Sequence, residues 1–331
     1  MLRSLYSFLH TSIDYAGIYP PANLSIEMAL RKYSEYRNIA ESWMLARFVI
    51  GTPFLPQLEN FEEIFLAPPK FRFSILNQKT KKLESFPQTL DSDIQQVETF
   101  IENYKSNIQI ESFEIRLPEA VGLTSDEKAI LNVLDRTMSV VEASNLPRDI
   151  QIFFESTYPG NWKIKLENVL NGLSTLNHTL AKKSYNPNRI GFKIRTGGET
   201  KASIPSVEFV SRVIYECGRL NIPLKATAGL HHPLRHYDIG SDQILHGFIN
   251  LIGAAVLNYE NELTLETIQK IIETEDTNDF VFGNGDFRWN NYAISEVKIA
   301  EARQRTFISF GSCDFDDPRL DLKKLHYKLR P

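Results

Sequence analysis

Two lysines set in apolar runs carry the first chemical information in this chain. Lys193 stands in Arg-Ile-Gly-Phe-Lys-Ile-Arg-Thr-Gly-Gly (189–198), and Lys225 in Ile-Pro-Leu-Lys-Ala-Thr-Ala-Gly-Leu-His-His-Pro (222–233). An ammonium group taken out of water is costly unless it is paired or put to use. Side chains alternate along a strand, so Lys193 and Arg195 share one face and Phe192 and Ile194 the other. In the second run Lys225 and Thr227 lie opposite Leu224 and Ala226. Adjacent strands are about 4.8 Å apart, close enough for like charge and burial together to favour a neutral amine on one lysine. A neutral lysine forms a Schiff base with a carbonyl. The competing expectation is that the lysines pair with Glu155, Glu114 or Asp14 and fill a polar barrel centre.

The elements that must hold these lysines alternate in period. Short apolar runs at 12–16, 43–50, 71–76, 112–117, 150–155, 190–195, 224–228 and 246–251 read as strands buried on both faces. Between them the spacing turns helical, as in Ile94, Val97, Ile101 and Tyr104, or Leu166, Val169, Leu170 and Leu173, or Val207, Val210, Ile214 and Cys217. Thr124-Ser-Asp-Glu127 is a capping-box start for the helix carrying Ile130, Val133 and Leu134. Strict alternation demands parallel strands joined by crossovers. Eight units predict an α/β fold, a (β/α)8 TIM-like barrel over residues 1–260, with residues 261–331 as a helical and loop extension packed on it in a single domain. No G-x-G-x-x-G occurs to suggest a dinucleotide fold. Residues 306–310 read as a ninth, peripheral strand, and 281–291 as a glycine-hinged loop that could serve as a lid.

Catalytic groups of such barrels sit at the C-terminal ends of the strands. Reading those ends in order gives Asp14 and Tyr15, Arg47, Asn77, Arg116, Glu155 with Tyr158, Lys193 with Arg195, Lys225 with His231 and His232, and His246 or Asn250. Within residues 189–233 the chain resembles the class I, Schiff-base aldolases of the deoxyribose-phosphate aldolase type. Phe192-Lys193-Ile-Arg-Thr196-Gly197-Gly198 and Leu224-Lys225-Ala-Thr-Ala-Gly229 match that family's sixth and seventh strands with their glycine turns. The resemblance implies that Lys193 forms the imine and that Lys225 lowers its pKa or relays a proton. It implies a carbon–carbon lyase acting on a small carbonyl compound without a cofactor. Arg195 and the His-His-Pro-Leu-Arg-His run depart from the family pattern, and Asp14, Glu114 and Glu155 are the candidates for its catalytic carboxylate.

Two further constellations carry expectations of their own. Thr196-Gly197-Gly198 and Ala228-Gly229 could turn backbone N–H groups toward an anion, with Arg47, Arg195 and Arg235 supplying charge for a phosphorylated or carboxylated substrate. Equally, the glycines could only permit tight βα turns. His231, His232, His236 and His246 fall within 16 positions, so a divalent metal serving a hydrolase or isomerase is an alternative, with Asp14 and Glu155 as carboxylate partners. Yet no H-x-H or H-E-x-x-H spacing is present, which leaves acid–base work by His231 or His232, or a loop role. A third reading is a non-catalytic barrel that binds an anionic metabolite.

Composition narrows the partners. The 331 residues include 37 Lys and Arg against 41 Asp and Glu, a net charge of −4 that points to neither nucleic acid nor an anionic membrane. Cys217 and Cys313 are too far apart in sequence to form a CxxC pair and fit a reducing compartment. No apolar run reaches the 18–20 residues of a span and the N-terminus lacks a signal-peptide core, so the sequence reads as cytoplasmic. The expected partner is a small molecule, and a homo-oligomer is left open.

Overall fold

A computed structural model describes residues 2–66, 68–158, 160–183, 189–198 and 200–325. Eight strands close into an all-parallel barrel. They are β1 (Ile13–Tyr15), β2 (Leu45–Gly51), β3 (Phe71–Leu76), β4 (Ile108–Arg116), β5 (Gln151–Glu155), β6 (Ile190–Arg195), β7 (Leu224–Thr227) and β8 (Phe307–Ser312). Around the barrel the order is β1-β8-β7-β6-β5-β4-β3-β2, so each strand neighbours the next in sequence. The (β/α)8 expectation holds. Among the described residues no helix is long and apolar enough to cross a membrane.

By contact the chain divides into two compact units. One comprises Ser25–Ser34 and Arg47–Lys193, the other Met1–Leu24, Glu35–Ala46 and Ile194–Pro331. In the first, Phe71 and Phe73 of β3 point outward into a ring cluster with Phe48, Phe65 and Phe100. Burying such aromatics against the helices fixes the strand phase, because a one-residue slip would turn every phenylalanine inward. Ser74, on the opposite phase, must then face the barrel interior. The register of β3 on β4 shifts between Phe73 and Ser74, where Phe73 pairs with Ile110 and Ser74 with Ser112. This bulge inserts Glu111 as an extra residue.

In the second unit β8 pairs with both β1 and β7. Its Phe310 stacks on Phe248 with ring centroids 5.0 Å apart, which turns Ser309 to the interior. The run 246–251 is no strand: Phe248–Asn261 is a helix whose first ten residues are all buried. A continuous apolar run has no period to tell strand from buried helix, and the length of this one decides for helix. The eighth strand is Phe307–Ser312, which the 306–310 reading had set at the periphery. The boundary at residue 260 therefore fails as well. Residues 261–306 form part of the crossover from β7 to β8 and not an extension after the barrel.

That crossover contains a hairpin (His236–Asp238 with Gln243–Leu245), the helices Phe248–Asn261, Leu265–Glu273 and Glu296–Arg305, and a three-stranded antiparallel sheet. The sheet is built from Phe280–Phe282, Asp286–Trp289 and Tyr292–Ser295. It contains most of the supposed lid, and Phe282 and Phe287 pack on Phe8 of the helix Arg3–Leu9. That helix feeds β1 from its N-terminal side, so the sheet belongs to the floor of the barrel and not to its mouth. If β8 closes the barrel, a chain truncated after residue 305 should fail to give a soluble, cooperatively melting protein. Intact far-UV circular dichroism with a sharp thermal transition in that truncation would contradict this topology.

Candidate functional site

The inward phase of β3 through β6 carries polar residues at successive levels. Nearest the floor, Glu111 takes an ion pair from Arg47 at 2.9 Å and from Arg72 at 2.5 Å. Arg47, expected to hold a substrate anion, is thus engaged at the lower level by the carboxylate that the bulge supplies. Above it lies a chain of short contacts. The Ser74 and Ser112 hydroxyls are 2.6 Å apart, and Ser74 donates to Glu114 Oε1 at 2.5 Å. Glu114 Oε2 meets Lys193 Nζ at 2.5 Å, and Lys193 meets Glu155 Oε2 at 3.0 Å.

Strand register explains the convergence. Glu155 and Lys193 are direct partners on β5 and β6, while Glu114 reaches them from β4 across β5. All three are deeply buried, at 4% exposure for each glutamate and 6% for the lysine. Burial alone would push the Lys193 amine toward its neutral form, but the attraction of Glu114 and Glu155 outweighs it and holds the pKa above the ordinary lysine range. The expected neutral amine is therefore not the resting form of Lys193. Charge pairing wins over desolvation.

The second unit has its own inward cluster. Lys225 Nζ lies 2.9 Å from Asp14 Oδ2, and the Ser309 hydroxyl donates to that same oxygen at 2.5 Å. Ser309 is the direct register partner of Lys225, and the three residues are at most 1% exposed. Both lysines thus lie on the interior phase, as their alternation with hydrophobes required, and each has a carboxylate within salt-bridge distance.

The glycine turns serve packing. The Thr196 N–H donates to Thr227 O at 2.9 Å, and its hydroxyl donates to Ala228 O at 2.6 Å. A Cβ on Gly197 would come within 2.8 Å of the Gly229 Cα, and Gly229 has a φ of +76°. These residues let the β6 and β7 loops touch. The Thr196 hydroxyl thus faces the backbone carbonyls of Thr227 and Ala228. A Cβ on Gly198 would meet Ser203, Arg195 is exposed, and Arg235 pairs with Glu275 at 3.3 Å. Apart from the exposed Arg195, these residues are engaged in loop contacts or an ion pair, which favours the turn reading.

The histidines come together only in part: the His232 and His236 rings pack edge to face with centroids 4.4 Å apart. His231 Nδ1 lies 3.3 Å from Ser312 Oγ and its Nε2 3.9 Å from Cys313 Sγ. Ser312 is on the outward phase of β8, so this contact belongs to the loop layer beyond the strand ends. Burial lowers the His231 pKa and keeps the ring neutral at neutral pH. His232 pairs with Asp321, His236 with Leu234 O and His246 with Pro205 O. Among the described residues no three His, Cys, Asp or Glu side chains come together as metal ligands. Compared with protein-family models and with curated proteins, the chain matches none.

Ser74, Ser112, Ser309 and the placement of Glu114 escaped the sequence reading. For Ser74, Glu114 and Ser309 the signal is the same period of two that marked Lys193, each being the polar residue between outward-facing hydrophobes, whereas Ser112 follows the bulged Glu111, which breaks the alternation. The cluster yields a pH test. Lys193→Met leaves two buried carboxylates facing each other, which should cost about 3–5 kcal/mol at pH 8. Mutual repulsion and burial would raise the carboxylate pKa values in that variant, so its deficit should shrink as pH falls toward 5 and one of them takes up a proton. Urea melts of both proteins at pH 5 and pH 8 check this, and a deficit unchanged with pH would contradict it.

Proposed function

We propose that the barrel interior is the active site of an enzyme for a small, carbonyl-containing, anionic metabolite. In this reading Lys193 forms a protonated imine and drives an aldolase-type cleavage or formation of a carbon–carbon bond. The observation that carries it is the ammonium of Lys193 held between two buried carboxylates near the C-terminal ends of β5 and β6.

Such a lysine has its proton acceptors built in. Lys193 passes a proton to Glu155, the last residue of β5, and the freed amine attacks the carbonyl carbon. The carbonyl oxygen takes up that proton, a second proton leaves the nitrogen through the carboxylates, and the oxygen departs as water. Ammonium plus carbonyl gives protonated imine plus water, so no net proton is gained or lost and the charge of the cluster is preserved. The iminium then accepts the electron pair of the breaking carbon–carbon bond to become an enamine. A carboxylate removes the proton from the β-hydroxyl as the second carbonyl forms. Glu114, fixed by Ser74, keeps the amine in place.

Glu155 has the better position for protons at the substrate, because β5 ends there. With no group of three metal-ligating side chains among the described residues, the metal-dependent alternative has no comparable support.

The raised pKa of Lys193 favours one competing reading, in which the ammonium stays charged and stabilises an enolate without a covalent bond. Cyanoborohydride trapping separates the two. Incubation with pyruvate, glyoxylate, propanal or glyceraldehyde should leave a reduced adduct on the peptide containing Lys193, located by mass spectrometry. Deuterium exchange next to the carbonyl of one of these compounds, with no adduct on any peptide, would replace the imine with the enolate reading.

A further inference from the structure

Among the described residues, one cation on the interior phase has no counter-ion. In the unit that holds the Lys193 cluster, Arg47 and Arg72 share Glu111, and Lys193 has Glu114 and Glu155. Arg116 stands two residues beyond Glu114 at the C-terminal end of β4, on the same inward phase. Its guanidinium makes no hydrogen bond or ion pair with any described residue, although the side chain is half-buried. Leaving a partly desolvated guanidinium unpaired is unfavourable unless something else pairs with it.

The backbone beneath it is held firmly. Asn77, itself buried just past β3, accepts the Arg116 N–H at 2.8 Å and donates to the Arg116 carbonyl at 3.4 Å. Asn77 in turn donates its own N–H to the Glu114 carbonyl at 3.1 Å. The residue that fixes Arg116 therefore also fixes the strand carrying Glu114. Register then sets the spacing. Arg116 pairs with Glu155, and Glu155 with Lys193, so the three form one row across β4, β5 and β6. Arg116 and Lys193 are two strand spacings apart at the backbone, roughly 10 Å, and both side chains are long enough to reach one small molecule between them.

We infer that Arg116 is the substrate's anion-binding residue and that the anion is a carboxylate close to the carbonyl, as in a short 2-oxo acid. This rests on the function proposed above and deepens it by naming the substrate class. A planar guanidinium matches a carboxylate with two parallel hydrogen bonds. Charge selects the monoanion: Arg116 and Lys193 together balance Glu114 and Glu155, so a dianionic phosphate would meet two carboxylates with Arg116 as the one unpaired cation among the described residues of this row. The residues first expected to bind the anion are less suited, since Arg47 and Arg235 already have carboxylate partners.

The test uses oxamate, a carboxylate with the shape of pyruvate whose amide carbonyl forms no imine, so binding is read apart from covalent chemistry. By calorimetry the wild type should bind oxamate. Arg116→Met should weaken it about 10- to 100-fold, the loss of a charge-assisted pair. Arg116→Lys should retain part of the affinity, and it keeps the measurement decisive should the methionine variant fold poorly. Propanamide, the neutral counterpart, should not bind. Oxamate binding unchanged in the folded Arg116 variants, or absent in the wild type, would overturn the assignment, and stronger binding of inorganic phosphate would overturn the choice of carboxylate. Arg116-dependent oxamate binding in a protein that traps no carbonyl keeps this inference and removes the imine. Trapping on Lys193 that is indifferent to Arg116 does the reverse.

Discussion

A lysine ammonium buried inside a closed sheet has to be neutralised where it stands, and the rest of this architecture follows from that constraint. Lys193 has lost most of its hydration, a penalty that Glu114 at 2.5 Å and Glu155 at 3.0 Å offset. The second carboxylate introduces a charge problem of its own, which Ser74 relieves by donating to Glu114 while its oxygen lies against the Ser112 hydroxyl. Each polar group thus requires the next, and the sequence of requirements runs across four strands. Asp14, Lys225 and Ser309 meet the same constraint with one carboxylate, one ammonium and one hydroxyl.

Such clusters need a scaffold that does not slip. The outward aromatics provide it: Phe71 and Phe73 against Phe65 and Phe100, and Phe310 against Phe248. Turning a strand by one residue would bury charges among the helices and put phenylalanine in the barrel interior, two large penalties at once. Hydrophobic packing on one face therefore determines the polar geometry on the other. The bulge at Glu111 extends this logic to the floor, where one extra residue supplies a shared partner for two arginines.

Much of this was legible in the chain, and the parts that were not have physical reasons. The alternation around Lys193 and Lys225 placed both lysines on the interior phase, because period two is a local property. Their protonation was not legible, since it depends on which carboxylates register brings alongside, and Glu114 comes from a strand 79 positions earlier in the sequence. The eighth strand was misassigned because Phe248–Asn261 is apolar all round, whereas Phe307–Ser312 is short and preceded by a long crossover. The histidine cluster survives only as the His232–His236 ring contact, and the hydrogen bonds of His231, His232, His236 and His246 go to four different partners.

The resting protonation of one nitrogen, Lys193 Nζ, decides whether this centre is charge-paired. Lysine-selective ¹⁵N NMR of the intact protein, with Lys193 assigned by its loss in Lys193→Arg, reads that state directly. A slowly exchanging ammonium resonance that persists through pH 10, and shifts in Glu114→Gln, is the predicted result. A neutral-amine resonance for Lys193 at pH 7 would contradict the charge-paired centre from which the proposed chemistry is built.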